Sequence, residues 1–282
     1  VAIVTGASRG IGKGCALELA SAGALVFVTG RTLREGGAPL PGSLEATVEE
    51  ARQLGGRCIP VACDHADDEQ TAALFERVAA EAGQLDVLVN NAFRVPEKLD
   101  PRLPFYETPI SWWDDMLDVG TRSAYVATHF AARTMLPQGR GLIANISSAG
   151  AVHYFHHVVY GVGKAALDRI AVDCAPVLAR KGIAIVSLWP HLVKTERVLR
   201  IPGYDLSRAE SLRFTGRAVV ALASDPKVLR WTGRALTSRD LASSYGFRDV
   251  DGSLPDGPTN IASRIEFSRG DLAKGFDIPI IH

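Results

Sequence analysis

No stretch of this sequence stays apolar for the roughly 18 residues a helix needs to cross a bilayer, so no integral membrane segment is expected. No secretory leader is evident either. Charge of one sign is not in excess: 31 Lys plus Arg stand against 31 Asp plus Glu. Without a net field the chain has no general attraction for nucleic acid or an anionic lipid surface, and nucleic acid is not an expected partner. Cysteine is scarce, with Cys15, Cys58, Cys63 and Cys174 at no paired spacing. That argues against a disulfide framework and for free thiols in a reducing compartment, with the cytoplasm as the expected location. Internal repeats, low-complexity tracts and composition shifts that mark a domain boundary are also missing. With 282 residues, 47% of them hydrophobic, the chain can bury one large core, and a single domain over 1–282 is the expectation.

What the sequence does have is alternation. Short apolar runs at 1–5, 24–28, 57–63, 86–90, 141–146 and 183–189 read as strands, and helical periodicity falls between them at 43–54, from about 67, at 111–135 and at 158–181. This order predicts an α/β fold of Rossmann type: a doubly wound parallel β-sheet flanked by helices on both faces. Pro176 is expected to kink or interrupt the last of these helices. The proline-rich segment 93–109 reads as a loop over the site or at its rim.

The first run opens into Gly6-Ala-Ser-Arg-Gly10-Ile-Gly12, after which Ile11, Cys15, Leu19 and Ala22 fall at helical spacing. In a strand, turn and helix of this kind the glycines let backbone N–H groups approach a diphosphate at the positive end of the helix, although the same glycines also suit a tight connection. The second run ends in Arg31, where folds that bind NAD place an Asp or Glu on the ribose hydroxyls. Arg31 and Arg9 offer guanidinium groups that suit a 2′-phosphate, so NADP(H) is expected over NAD(H); a solvated Arg31 is the alternative. Asp64 follows the third run, where it either meets an adenine amino group or caps the helix starting near Asp67. Asn90 and Asn91 end the fourth, at the edge where open α/β sheets bind ligands.

Tyr160 and Lys164 are four residues apart in a helical pattern, so a phenol and an ammonium share one face. A neighbouring cation favours the ionised phenol, which makes the pair a proton donor and acceptor near neutrality. Ser148 closes the fifth run, with Ser147 beside it. His153, His156 and His157 lack a matching carboxylate or cysteine set; no metal is expected there, and they read as a loop lining a substrate pocket. Tyr154, Phe155, Val198, Leu199, Ile201 and Tyr204 are candidates for an apolar substrate wall or, equally, for core or lid packing.

Together, Thr5-Gly-Ala-Ser-Arg-Gly-Ile-Gly12, Asn90-Asn91-Ala92, Ser148, Tyr160 with Lys164, and Pro190 to Thr195 resemble the short-chain dehydrogenase/reductase family, in the family's order over roughly the first 200 residues. Likeness to one branch, carried by Tyr106 to Pro109, Trp113 to Asp115, Ser187 to Pro190 and Tyr245 to Gly252, extends it to about residue 252. The resemblance implies an enzyme that reduces a largely apolar ketone or aldehyde with NADPH, or oxidises the alcohol. By the same likeness Tyr160 exchanges a proton with the substrate oxygen, Lys164 lowers the phenol pKa and binds the nicotinamide ribose, and Ser148 hydrogen-bonds the substrate oxygen. Gly6, Ser8, Arg9, Ile11, Gly12, Arg31, Asp64, Asn90 and Thr195, with Tyr160 and Lys164, would contact the cofactor. It further implies a substrate loop at about 191–215, a C-terminal tail at about 238–282, and a homodimer or homotetramer paired through the helices at 111–135 and 158–181. Three positions depart from the family pattern: Gly120 stands for the usual Asn, and Phe93 and His191 stand for glycines. These keep open an alternative, a non-catalytic nucleotide-binding protein of the same fold that acts through partners.

Overall fold

The computed structural model describes residues 1–96, 99–100, 103–154, 157–203 and 205–257. The apolar runs pair into one seven-stranded, all-parallel sheet of order β3-β2-β1-β4-β5-β6-β7. The strands are β1 (Ala2–Val4), β2 (Leu25–Gly30), β3 (Arg57–Ala62), β4 (Val87–Asn90), β5 (Gly141–Ile146), β6 (Ile183–Trp189) and β7 (Ala235–Thr237). Side chains alternate across the sheet, so each run feeds two cores. Val4, Val28, Val89, Ala144 and Val186 pack on one face against α1 (Gly10–Ser21), α2 (Leu44–Gln53), α7 (Leu212–Ala223) and α8 (Ser238–Tyr245). Ile3, Phe27, Leu88, Ile143 and Ile185 pack on the other against α3 (Asp68–Ala82), α5 (Ser123–Met135) and α6 (Val158–Ala179). Burial on both faces is why the strands read as continuous apolar runs.

Local signals set most of the helix ends. Ser43 caps α2 by accepting the Ala46 N–H at 3.1 Å, and Asp67 caps α3 by accepting those of Glu69 and Gln70 at 2.9 and 3.2 Å. Asp67 therefore does the capping that was open to Asp64. The helix expected over 111–135 is broken into α4 (Ser111–Leu117), a π-helical turn (Asp118–Arg122) and α5, with Gly120 at the centre of the turn. Pro176 does not interrupt α6, which runs on to Ala179. It lies in the last turn, where its missing N–H removes a single bond, the one toward the Val172 carbonyl. The short strand β7 and helices α7 and α8 were not anticipated. Helix α7 lies so close to α1 that a Cβ on Gly14 would fall 1.7 Å from the Leu212 carbonyl oxygen. Among the described residues no helix is long and apolar enough to cross a membrane.

The segment from β6 to α7 leaves the sheet at Pro190 and returns through Glu210, whose backbone pairs with Leu192 and Lys194 and whose carboxyl is buried. That carboxyl accepts the His191 N–H at 2.8 Å and the Thr215 hydroxyl at 3.2 Å. Burial pushes its pKa up to about 8 against the lowering effect of these bonds. An unfolded glutamate loses its proton near pH ~4.3. Between those values the folded chain therefore holds the extra proton, and stability falls as pH rises through the window. Measured against Glu210→Gln, the melting temperature of the native chain should fall by about 5–10 °C between pH 5 and 8. Both chains are followed by thermal unfolding across pH; an equal drop in the variant would refute the assignment.

Candidate active site

The crevice forms where β1 and β4 lie side by side and their following segments depart to opposite faces, the usual ligand edge of such sheets. Thr5 joins the two exits. Its hydroxyl accepts the N–H groups of Asn91 and Ala92, both at 2.9 Å, and the Asn91 side chain donates to the carbonyls of Thr5 and Gly6 at 2.9 and 3.0 Å. The glycine turn fits against this seam with no space to spare: a Cβ on Gly12 would lie 2.3 Å from Asn91 Nδ2 and 2.4 Å from the Gly6 oxygen. Gly6 itself sits at φ +66°, which L side chains rarely adopt.

Past the turn, α1 points its N-terminus into the crevice and holds an oxyanion. The Gly10 N–H donates to Glu196 Oε2 at 2.9 Å, so a carboxylate stands where a phosphate oxygen would be received. The residues present thus fit a dinucleotide's diphosphate. Thr195 is beside it, its Cγ2 3.6 Å from where a Cβ on Gly10 would be. Ser8 is buried in the turn and Ile11 half-buried. Arg9 is turned into the 36–42 loop, donating to the carbonyls of Pro41 and Gly42 at 2.9 and 2.8 Å. Burial lowers its pKa, Glu196 and Glu35 oppose the shift, and repulsion from Arg31 adds to it. Arg31 is exposed. Asp64 pairs with Arg94 at 3.7 Å and accepts the Ala66 N–H. Asn90 turns its side chain into the core, donating to Asn145 Oδ1 at 2.9 Å and Thr128 Oγ1 at 3.0 Å.

The phenol, hydroxyl and ammonium of the sequence reading come together at the exit of β5 and the start of α6. Tyr160 donates to Ser148 Oγ at 2.9 Å, and the Gly150 N–H donates to the same oxygen at 3.1 Å. With both its lone pairs engaged, the Ser148 hydroxyl has its proton to give. Lys164 is buried, donates to the Ile146 carbonyl at 2.9 Å and lies 5.7 Å from the centre of the Tyr160 ring. Burial lowers its pKa to about 8, with Asp168 acting the other way. The phenol is not lowered as the spacing suggested: burial raises Tyr160, with the Ser148 bond in partial opposition. Asp168, one turn beyond Lys164, is pushed up to about 6 by burial and accepts the Trp189 indole N–H at 3.1 Å.

An apolar cleft of about 310 Å³ opens beside the start of α6, between Phe105, Pro109, Ile110 and Trp113 on one side and Val158 and Val159 on the other. His157 also borders it, and is buried and caps α6, its Nδ1 accepting the Tyr160 N–H at 3.3 Å. His153 and Tyr154 are exposed, as are Leu199 and Ile201, and His191 is exposed with its N–H held by Glu210. His156, Phe155 and Tyr204, and the expected tail beyond 257, lie outside the described residues. Among the described residues no three His, Cys, Asp or Glu side chains are grouped to hold a metal ion. Sequence reasoning missed Asp168, Glu196 and Glu210. Only Asp168 carried a signal, standing four residues after Lys164 on the same helix face.

The family model described as short chain dehydrogenase matches residues 1–202. Dehydrogenase/reductase SDR family member 1 of Mus musculus and of Homo sapiens are 46% and 47% identical to this chain, each alignment covering 89% of it and 83% of the relative. The crystal structure of a metagenomic short-chain oxidoreductase in complex with NADP superposes with a TM-score of 0.68 at 27% identity, covering 84% of this chain and 94% of that one. Fold, matched span and identity along most of the length agree, and the chain belongs to the short-chain dehydrogenase/reductase family of NAD(P)-dependent oxidoreductases.

Proposed function

We propose that this chain reduces a ketone or aldehyde with NADPH, or oxidises the matching alcohol, and that Tyr160 is its general acid and base. The observation that carries this reading is the Tyr160 phenol at 2.9 Å from Ser148 Oγ, with the buried Lys164 ammonium behind it. The nicotinamide cofactor, when bound, supplies the hydride or takes it. Ser148 gives its hydroxyl proton as a hydrogen bond to the carbonyl oxygen, where negative charge develops. Tyr160 transfers its proton from Oη to that oxygen, and a phenol raised by burial holds this proton at neutral pH. Lys164, charged below a pKa of about 8, stabilises the phenolate that remains.

Gly6, Ser8, Ile11, Gly12 and Thr195 would receive the diphosphate side of the cofactor, Asp64 its adenine, and Lys164 with Tyr160 its nicotinamide ribose, while Asn90, its side chain in the core, would meet the cofactor through its main chain. Arg31 at the end of β2, with Arg9 in the glycine turn, favours NADP(H) over NAD(H), since guanidinium groups there suit a 2′-phosphate. The apolar cleft beside α6 supports a largely apolar substrate. On this reading the chain is one domain with a substrate loop over 191–211; the last residues of the expected 191–215 segment belong to α7. The four free thiols fit the cytoplasm. Exposed Tyr125 on α5 and Val177 on α6 support pairing into a homodimer or homotetramer.

Tyr160→Phe should lower NADPH-dependent turnover of apolar ketones and aldehydes by about 10²–10⁴-fold with NADPH affinity kept, measured by cofactor absorbance and by fluorescence titration. Undiminished turnover would end the acid/base assignment. Arg31→Asp should weaken NADPH at least tenfold while leaving NADH within about twofold; equal weakening of both would remove the case for a 2′-phosphate. In sedimentation velocity the chain should run at two or four times its mass of 30.2 kDa, and a monomer at every concentration would exclude the assembly.

A further inference from the structure

Position 93 opens the segment after the Asn91 seam, and position 120 lies in the π-helical turn between α4 and α5. The two meet. A Cβ placed on Gly120 would lie 2.8 Å from Phe93 Cδ2 and 3.1 Å from Cε2, so the ring rests on a bare Cα and leaves no room for a methyl group. The same ring has the Lys164 ammonium 4.8 Å from its centre and the Tyr160 ring edge-on at 6.0 Å and 81°. The π-helical turn also reaches α6 directly, where the Thr121 hydroxyl donates to the Gly163 carbonyl at 3.2 Å, one residue before Lys164.

We propose that Phe93 is a positioning residue for Lys164: its ring, seated on Gly120, holds the ammonium against the Ile146 carbonyl and beside Tyr160 by a cation–π contact. The proposal rests on the reading of Tyr160 and Lys164 as the groups that handle the proton. A desolvated ammonium over a ring face gains more from this contact than an exposed one. Burial lowers the Lys164 pKa, so a contact that favours the charged form counts toward keeping it a cation at neutral pH. Among the described residues the other groups around it are few. On α6 they are Tyr160 and Asp168, and from β5 the Ile146 carbonyl. The π-helical turn's Asp118 and Arg122 act on one another, and Arg122 pairs outward with Asp68 at 2.7 Å.

The test has two arms on the full chain. In the first, melting temperatures of the unliganded protein are compared for Gly120→Ala, Phe93→Ala and the double variant. Gly120→Ala alone should lower the melting temperature; in the double variant the added methyl enters the space the ring leaves, so the losses should add to less than their sum. Strictly additive losses overturn the size match. In the second arm, NADPH binding is followed by fluorescence from about pH 6 to 10, and the alkaline limb assigned to Lys164 should vanish in Lys164→Arg. Phe93→Leu keeps apolar bulk without a ring face and should move that limb down by about one pH unit, while Phe93→Tyr should leave it in place. The position of the limb decides, not the affinity at its plateau, so a Phe93 that only packs against ligand leaves it unmoved and overturns the proposal. Turnover that survives Tyr160→Phe would instead sink the proton-transfer reading, a result distinct from an unmoved limb.

Discussion

Thr5 takes two amide protons on one hydroxyl, from Asn91 and Ala92, while the Asn91 side chain gives its own to the carbonyls of Thr5 and Gly6. These bonds tie positions more than eighty residues apart in sequence, and each is worth only about 1 kcal/mol net. Their consequence is larger than their sum, since a buried polar group left without its partner costs more than the bond returns. The seam sets the height of the glycine turn, hence where the Gly10 N–H can hold an oxyanion, and it starts the segment that brings Phe93 to Lys164. A change at this seam is therefore felt both at the α1 N-terminus and at Lys164.

The fold was legible because a parallel sheet covered on both faces has to be written in continuous apolar runs, and Ala2–Val4, Leu25–Gly30 and Ile183–Trp189 are such runs. The three-residue β7 carries too little pattern to be seen, and it joins the sheet only through its register with β6. That Tyr160 and Lys164 share a helix face was legible through helix geometry, and Ser148 was singled out through family likeness; the structure joins the phenol to that hydroxyl. Glu196 and Glu210 sit in a loop with no period, and only the tertiary fold brings one to Gly10 and the other under His191. His157 borders the cleft and also caps α6, a task its composition does not announce, because the backbone N–H of Tyr160 needs an acceptor. The match of Phe93 to Gly120 is a relation of sizes across 27 positions, and no local rule carries that kind of information. What the family pattern marks as two separate departures is, in space, one exchange of bulk.

Burial shapes the chemistry of this site as much as contact does. It lowers Lys164 to about 8 and raises Asp168 to about 6, drawing the two groups on one helix face toward neutrality from opposite sides. Each is kept from discharging by its surroundings: the Trp189 indole and the Ser147 and Ser187 hydroxyls favour the charged carboxylate, and the Ile146 carbonyl and the Phe93 ring favour the ammonium. A charge held this way is expensive in stability but responsive, because in a medium of low polarity a small change in its neighbours alters its proton affinity far more than in water. Tyr160 feels the same environment, and burial favours its neutral form as it does that of the Asp168 carboxyl. The phenol thus keeps its proton until charge appears next to it, while the lysine behind it keeps a positive charge that favours the phenolate once that proton has gone.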